Sequence, residues 1–488
     1  MSLFRSNASM DGKYISIPKD SDKVWLQTES KVLFVRSCYN DIWGQIDQHY
    51  FTGGQFVTDR RTVDGFVVSG NPGIGKSCFL DFCLHKLLEM RKSVCYFYGK
   101  DNSAIIFKAD GTVEEYKIAD NHDGAFASEV DFLLIDPPEN GDANFLGGRK
   151  GLKKKKFILA VSPDRNNCQA IRKDTSTIEL YMGTCSLQES KGMRVTCYEQ
   201  EVTEERLVLR YEEFGGIPRC LFQLYLGDDE DKTLNKYRDH QLAALEDVVA
   251  NPKRIDNMVS SDIFKSLWTI YHMEPVIDAN NNVDYGKYTI GPCCSNAAIR
   301  IRDHLMKKEV RELWEIFLST RRELGALRGI RYEAYAHKKI LTEGFVARVP
   351  LLTQGGLSNV TFRNISIPAG STQIDLPNNN VGQELSNAVS SSMAEQKGGY
   401  LLPHLPDFPV LDSIFVSHGT IAAPGPIFQL QMKAGRSRPL ATERAASIEA
   451  ATGCKELCFI VPDNTTITRR LQGVKWRQLC AILKETPT

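Results

Sequence analysis

Residues Gly70-Asn71-Pro72-Gly73-Ile74-Gly75-Lys76-Ser77 fit the pattern GxxxxGK[ST], and no other stretch of the chain restricts its fold as strongly. The apolar run Phe66-Val67-Val68 precedes them, and Cys78-Phe79-Leu80-Asp81-Phe82-Cys83 follows. That context predicts a strand, a tight loop and a helix. The glycines let backbone N–H groups converge on phosphate oxygens, and the helix N-terminus adds a favourable dipole. Lys76 would reach the β- and γ-phosphates, and the Ser77 hydroxyl would ligate Mg²⁺. Residues Gly70 to Ser77, with Cys78 next to them, are thus the expected contacts of ATP or another nucleoside triphosphate.

The residues that follow extend this reading. Ser93-Val94-Cys95-Tyr96-Phe97-Tyr98 reads as a second strand, and a polar segment with strand-like patches comes after it. Phe132-Leu133-Leu134-Ile135-Asp136 is a buried-strand pattern ending in an acid, which would place the Asp136 carboxylate beside the loop to hold the Mg²⁺ shell. Phe157-Ile158-Leu159-Ala160-Val161 ends in Ser162, a candidate γ-phosphate sensor. Strand–helix alternation predicts a doubly wound parallel sheet. Many ATPases carry Glu directly after the strand-end Asp to polarise the attacking water. Here Pro137 and Pro138 follow, with Glu139 the nearest acid, so binding is a firmer expectation than fast turnover. Around Gly215-Gly216-Ile217-Pro218-Arg219 a helix breaks and another starts, as in the helical lid of signal-transducing ATPases. Arg219 is a candidate for pointing back to the γ-phosphate.

Composition narrows the setting. The 488 residues carry no net charge, yet residues 301–488 hold 23 basic against 17 acidic side chains, which tilts the C-terminal part toward an anionic partner. No apolar stretch approaches membrane-spanning length, and Met1 to Met10 lack a signal-peptide core. The 13 cysteines are odd in number and scattered, several inside apolar patterns. They predict a reducing compartment, cytosol or nucleus, without structural disulfides.

From about Ile299 the pattern changes to amphipathic helices, Val310 to Ser319 and Arg322 to Thr342. Strand-like runs follow at 345–349, 410–416 and 427–433, then an expected helix from Pro439 to Ala451 and a last strand at 456–461. Helix, three strands, helix, strand is the order of the restriction-endonuclease-like fold. Glu333 on the helix, Asp412 on the second core strand and Gln431-Met432-Lys433 on the third stand where that fold places its catalytic groups. Period-two geometry sets Gln429, Gln431 and Lys433 on one strand face. Glu333 and Asp412 are the candidate Mg²⁺ ligands there, and Lys433 would steer the attacking water. His337 shares the helix face of Glu333. Residues 351–400, rich in Gly, Asn and Ser, read as a polar insertion without chemistry.

The whole resembles the Crinkler and retrotransposon-hot-spot (RHS) proteins of eukaryotic microbes. The resemblance rests on Leu33-Phe34-Val35-Arg36 to Tyr39-Asn40-Asp41-Ile42-Trp43, the loop from Ser69 to Ser77, and Phe214-Gly215-Gly216-Ile217-Pro218-Arg219. It continues through Tyr332-Glu333 with His337, Tyr400-Leu401-Leu402-Pro403, Phe408-Pro409 with Asp412-Ser413, and Phe428-Gln429. It implies a P-loop NTPase fused to a restriction-endonuclease-like domain, with Lys76, Ser77 and Asp136 on nucleotide and Mg²⁺. It likewise implies a nuclease site of Glu333, Asp412, Gln429 or Gln431, and Lys433. The family's third core strand often reads Gln-x-Thr where this chain has Gln429-Leu430-Gln431, so which glutamine faces the metal stays open. The ubiquitin-like header of Crinkler effectors is not found at the N-terminus, which leaves secretion open and tilts the reading toward an RHS-type intracellular protein or a trimmed chain.

The expected organisation is an N-terminal extension (1–40), an α/β P-loop NTPase domain (41–200), a helical lid or connector (201–298) and an α/β nuclease-like domain (299–488). The expected function is Mg²⁺-dependent DNA cleavage gated by a nucleoside triphosphate. The expected partners are double-stranded DNA, further copies of the chain and host or nuclear proteins, with no membrane, in the nucleus or cytoplasm or after delivery into a host nucleus. The alternative from another class is a nucleotide-gated nucleic-acid-binding or signalling protein whose nuclease fold is inactive.

Overall fold

The computed structural model describes residues 14–17, 24–28, 30–51, 65–98, 103–117, 129–137, 155–163, 177–222, 230–250, 267–278, 281–320, 325–352, 362–376, 399–403, 413–416, 427–432, 456–462 and 477–483. The chain divides into two compact units, Met1–Ala244 with Asn257–Cys293, and Leu245–Asp256 with Cys294–Thr488. The first unit therefore takes in the segment before residue 41 together with the loop-bearing sheet and most of 201–298.

In chain order the first part contains β1 (Tyr14–Ser16), β2 (Val32–Phe34), α1 (Ser37–Tyr50), β3 (Gly65–Ser69), α2 (Lys76–Glu89), β4 (Val94–Tyr98), β5 (Ser103–Phe107) and β6 (Val113–Lys117). Next come β7 (Phe132–Asp136), β8 (Lys156–Val161), β9 (Thr177–Tyr181), α3 (Leu187–Cys197), α4 (Glu204–Phe214), α5 (Pro218–Leu221) and α6 (Glu230–Ala250). The hairpin β10 (Tyr271–Ile277) and β11 (Val283–Pro292) follows.

A seven-stranded sheet in the order β6-β5-β4-β7-β8-β3-β9 organises the first unit. From β4 to β9 its strands are parallel. β3, β4, β7 and β8 are buried on both faces, which is why they read as apolar runs, while the edge strand β9 is mostly half-buried. Phe66, Val68, Tyr96, Leu134 and Ile158 enter one core with α1 and α2; Val67, Cys95, Phe97, Leu133 and Leu159 enter the other.

Strand–helix alternation predicts a doubly wound sheet with strand-like patches after the second strand, and the structure places two strands in that segment. β4 leads to β7 through the antiparallel strands β5 and β6: Ser103–Phe107 is a short, mostly buried apolar run, and the turn at Asp110-Gly111 returns the chain as β6. The outer strand β6 carries Glu114, Glu115 and Lys117, and such charges discourage edge pairing. The segment 201–298, expected to be helical, also contains the β10–β11 hairpin.

Local chemistry sets the helix starts. Ser186 Oγ accepts from Glu189 N at 3.0 Å to cap α3, Thr203 Oγ1 accepts from Arg206 N at 3.3 Å to cap α4, and Pro218 opens α5. The short β1–β2 pair is antiparallel, and Ile15, Trp25, Leu33 and Val35 from this region are buried in the core over α1 and α2.

The second unit contains α7 (Ser295–Leu305), α8 (Val310–Ser319), α9 (Gly325–Glu343), β12 (Phe345–Leu352), β13 (Phe362–Ile367), β14 (Thr372–Leu376), β15 (Gly399–Pro403), β16 (Ser413–Val416), β17 (Ile427–Met432), β18 (Glu456–Pro462) and β19 (Arg477–Leu483). Its eight strands form one mixed sheet in the order β13-β12-β19-β18-β17-β16-β15-β14.

Two expectations are corrected here. The stretch 351–400 contains β13 and β14 and opens β15, so these parts of it belong to the sheet; Ile365-Ser366-Ile367 is buried, exposed, buried in turn, a strand signal outweighed by the Asn- and Ser-rich composition around it. The strand beside β16 is β15, not Phe345–Leu352, which instead pairs with β13 and β19. The reason is register: Gly399, Tyr400 and Leu401 align with Val416, Phe415 and Ile414. The expected helix at 439–451, together with Asp412 and Lys433, lies outside the described residues.

Candidate functional site

The phosphate loop runs from the end of β3 into α2, at the carboxyl ends of the parallel strands. Three side chains or amides hold its carbonyls from outside. Arg36, 2% exposed, donates to Ile74 O at 2.8 Å; Tyr39 Oη donates to Gly75 O; and Arg219 N donates to Gly73 O at 3.2 Å. Lys76 Nζ donates to Gly70 O at 2.8 Å and to Asn71 O at 2.7 Å. With these carbonyls engaged, the loop's amide N–H groups are the polar groups left to meet an anion.

Gly73 and Gly75 have φ values of +79° and +95°, which side chains rarely adopt. A Cβ on Gly73 would come within 2.7 Å of Arg219 Cβ. Asn71, fully buried, donates to Met273 O and accepts from Met273 N, both at 3.1 Å, so β10 fixes the start of the loop. Arg36 also donates to Gly183 O at 3.0 Å and pairs with Glu189 at 3.2 Å.

At the cation end, Ser77 Oγ donates to Asp136 Oδ1 at 3.0 Å. β8 lies between β3 and β7, so Asp136 reaches the loop helix across an intervening strand. A hydroxyl beside a strand-end carboxylate is the oxygen donor set that Mg²⁺ takes next to phosphates. The residues present fit that ion. Burial pushes the Asp136 carboxyl up, against the stabilising hydrogen bonds from Ser77 and Gln27 and the nearby Lys76. Burial, then the Arg219 charge, pulls Lys76 down to about 7, while Asp136 works in the opposite sense. A buried cation with this cost has its charge best compensated by an anion.

Ser162 follows β8, half-buried and one residue beyond the Ser69–Val161 register pair, hence level with the start of the loop. Pro137 follows Asp136 on β7, and Glu139 lies outside the described residues. Arg219 is exposed, on the first turn of α5. The segment between β9 and α3 holds this element in place: Cys185 N donates to Gly216 O at 2.7 Å, and Tyr211 Oη donates to Cys185 O at 3.1 Å.

Sequence reasoning gave no role to Gln27, Arg36, Tyr39 or Asp81, all of which border the loop or Asp136. Only Asp81 had a local signal, as the lone acid in an otherwise apolar stretch of α2 four residues after Ser77. It is fully buried, and burial raises its carboxyl to about 7.

In the second unit Glu333 of α9 accepts from Arg302 Nη1 at 3.3 Å, and His337 Nε2 stands 3.6 Å from the same oxygen. The other His337 nitrogen, Nδ1, shares a hydrogen bond of 2.8 Å with Tyr400 Oη, which ties β15 to α9. Burial opposes ionisation of Glu333, but His337 and Arg302 outweigh it and hold the carboxyl below its usual range. Glu333 is thus engaged by a cation within its own unit. Gln429 and Gln431 lie on β17 opposite Leu457 and Phe459 of β18. Among the described residues no three His, Cys, Asp or Glu side chains are grouped to hold a metal ion.

The strand order, with β8 inserted between the loop strand and the Asp136 strand, and the loop geometry define a P-loop NTPase-like α/β fold for the first unit. No protein-family model matches the sequence, and no curated protein matches it. Among solved structures, AMPPCP-bound DnaA from Aquifex aeolicus is 13% identical, with a TM-score of 0.27 over 59% of this chain and 84% of that one. A DNA replication initiation factor is 15% identical, with a TM-score of 0.27 over 62% of this chain and 96% of that one. Among the described residues no helix is long and apolar enough to cross a membrane.

Proposed function

We propose that the chain is a nucleotide switch of the Crinkler–RHS kind: its first unit binds a nucleoside triphosphate with Mg²⁺, hydrolyses it slowly, and thereby regulates the second unit. The observation that carries the nucleotide reading is the loop itself. Arg36, Tyr39 and the Arg219 amide draw carbonyls of Ile74, Gly75 and Gly73 outward, which leaves amide donors for phosphate beside the Ser77–Asp136 pair. Slow turnover is the reading for Pro137, since the usual water-polarising acid is not at that place. The test is titration of the full chain with a fluorescent ATP or GTP analogue. Wild type should bind, and Lys76→Ala should lose most of that affinity; equal affinity in both would sink the loop assignment.

For the second unit we infer a phosphodiester-cleaving role on nucleic acid, in the nucleus or cytoplasm. Its support is the antiparallel run β15-β16-β17 with β18 parallel to β17, preceded by α9 with Glu333. Three antiparallel strands with a fourth parallel to the third match the strand arrangement of restriction-endonuclease-like folds, with β12 to β14 standing between α9 and β15 here. A second reading, an inactive nuclease fold that only binds nucleic acid, is favoured by the ion pair that engages Glu333 with Arg302. Plasmid cleavage in Mg²⁺, with and without ATP, separates the two. Cleavage that disappears in Asp412→Ala and Lys433→Ala supports the nuclease, whereas intact plasmid that is still shifted in a gel supports the binding protein.

A further inference from the structure

The turn around Leu26–Thr28, between β1 and β2, lies against the loop-bearing helix. Trp25, 1% exposed, packs edge-on to His85 of α2 with ring centroids 6.3 Å apart. This seats Gln27 among three buried or half-buried polar groups. Its backbone N–H donates to Asp81 Oδ2 at 3.0 Å. Its side-chain amide donates to Tyr96 Oη at 3.0 Å and to Asp136 Oδ2 at 2.9 Å. The remaining oxygen of Asp136, Oδ1, accepts from Ser77.

We propose that Gln27 is a positioning residue of the nucleotide site, fixing the rotation of the Asp136 carboxylate so that Oδ1 faces Ser77, with Asp81 anchoring Gln27 in turn. The proposal rests on the reading of Ser77 and Asp136 as the pair that handles Mg²⁺. A strand-end aspartate turns about two side-chain bonds, and a single hydrogen bond from Ser77 leaves that rotation loosely defined. The primary amide of Gln27 has two N–H donors, one on Tyr96 and one on Asp136, so it cannot turn without losing a partner. Tyr96 sits on β4, level with Leu134 of β7, two residues before Asp136. The fork therefore ties the carboxylate to a neighbouring strand of the same rigid sheet. Asp81 lies on the helix face of Ser77, one turn further along, and its bond to the Gln27 backbone fixes where the turn rests. The β1–β2 region thereby becomes part of the nucleotide site.

The test uses the full chain and the fluorescent analogues mant-ATP and mant-GTP, titrated in EDTA and then at rising Mg²⁺. Gln27→Met keeps the length and packing of the side chain but has no donor; Gln27→Ala accompanies it, each checked by thermal melting. Removing an outer partner of a metal-ligating carboxylate costs about 10- to 100-fold in metal affinity. The Mg²⁺ midpoint of Gln27→Met should rise by about that factor, with its affinity in EDTA unchanged. An unchanged Mg²⁺ midpoint in Gln27→Met overturns the inference, as does an equal loss with and without Mg²⁺, which would mark general damage. If wild type itself binds mant-nucleotide without any Mg²⁺ effect, the reading of Ser77 and Asp136 fails first, before any variant is compared.

Discussion

Tyr39 Oη donates to the carbonyl of Gly75 at 2.6 Å, and a Cβ on Gly75 would stand 2.6 Å from that same oxygen. A helix that precedes the phosphate loop in sequence therefore clamps the loop's last glycine. The Tyr39 ring is held separately, with Phe79 and Phe82 of α2 at 5.3 and 5.8 Å between centroids. Tyr39→Phe should keep the fold and lose only the clamp. The expected result is nucleotide affinity lower by about 2- to 10-fold, the size of one hydrogen bond of about 0.5–1.5 kcal/mol. Equal affinity in fluorescent-nucleotide titrations of the two proteins would show that the clamp does not shape the loop.

Arg36 should matter far more to stability. It is buried, and it joins Ile74 O, Gly183 O and Glu189. Arg36→Met would leave Glu189 without its cation and two carbonyls without a donor. Breaking a buried pair from one side costs about 3–5 kcal/mol. Urea denaturation should show a loss of that order; a loss below about 1 kcal/mol, the worth of an exposed pair, would contradict the network.

Asp81 gives a pH dependence with a definite sign. Its folded pKa, about 7, lies above the roughly 3.9 of an unfolded chain. The native state thus holds the proton that the unfolded state has released between those values. Stability from this group is present at low pH and is lost as pH rises toward 7, with a slope of at most about 1.4 kcal/mol per pH unit. Asp81→Asn should remove that slope, so the difference between variant and wild type changes from pH 5 to 7 and is flat above 8. Parallel stability curves from urea titrations across that range would refute it.

Glu333 should behave in the opposite way. Its folded carboxyl lies below its usual range, so it contributes stability above about pH 4 that is lost as pH falls further. Glu333→Gln keeps the shape and removes the charge facing Arg302, and should cost about 1–3 kcal/mol near neutral pH. Thermal melts at pH 7 and below 4 should show the gap between variant and wild type closing in acid. A gap that persists unchanged would mean that the charge is not what holds Arg302 and His337.

The legible part of the chain was whatever is encoded over a few consecutive residues. Gly70 to Ser77 could be read because phosphate binding needs glycines, a lysine and a hydroxyl at set intervals. The strands β3, β4, β7 and β8 could be read because each is buried on both faces and hence apolar throughout. The β5–β6 segment showed only as strand-like patches, and strands β13 to β15 were missed because the Gly-, Asn- and Ser-rich residues around them dominated the reading of 351–400. Register was also out of reach, since β15 and β12 have equally plausible strand patterns and only pairing across the sheet assigns β15 to β16.

The surroundings of the loop are of a different kind. Gln27 meets Asp136 across 109 positions and Asn71 meets Met273 across 202, and a glutamine or asparagine on its own has no local pattern that marks such a partner. By itself the sequence determined that a strand, a phosphate loop and a helix would follow one another, because steric and hydrogen-bonding rules act between neighbours. Only the tertiary structure decided which side chains hold that loop's carbonyls, which oxygen of Asp136 faces Ser77, and that Glu333 faces Arg302. Those contacts depend on packing that brings distant segments within about 3 Å, the range over which a hydrogen bond acts.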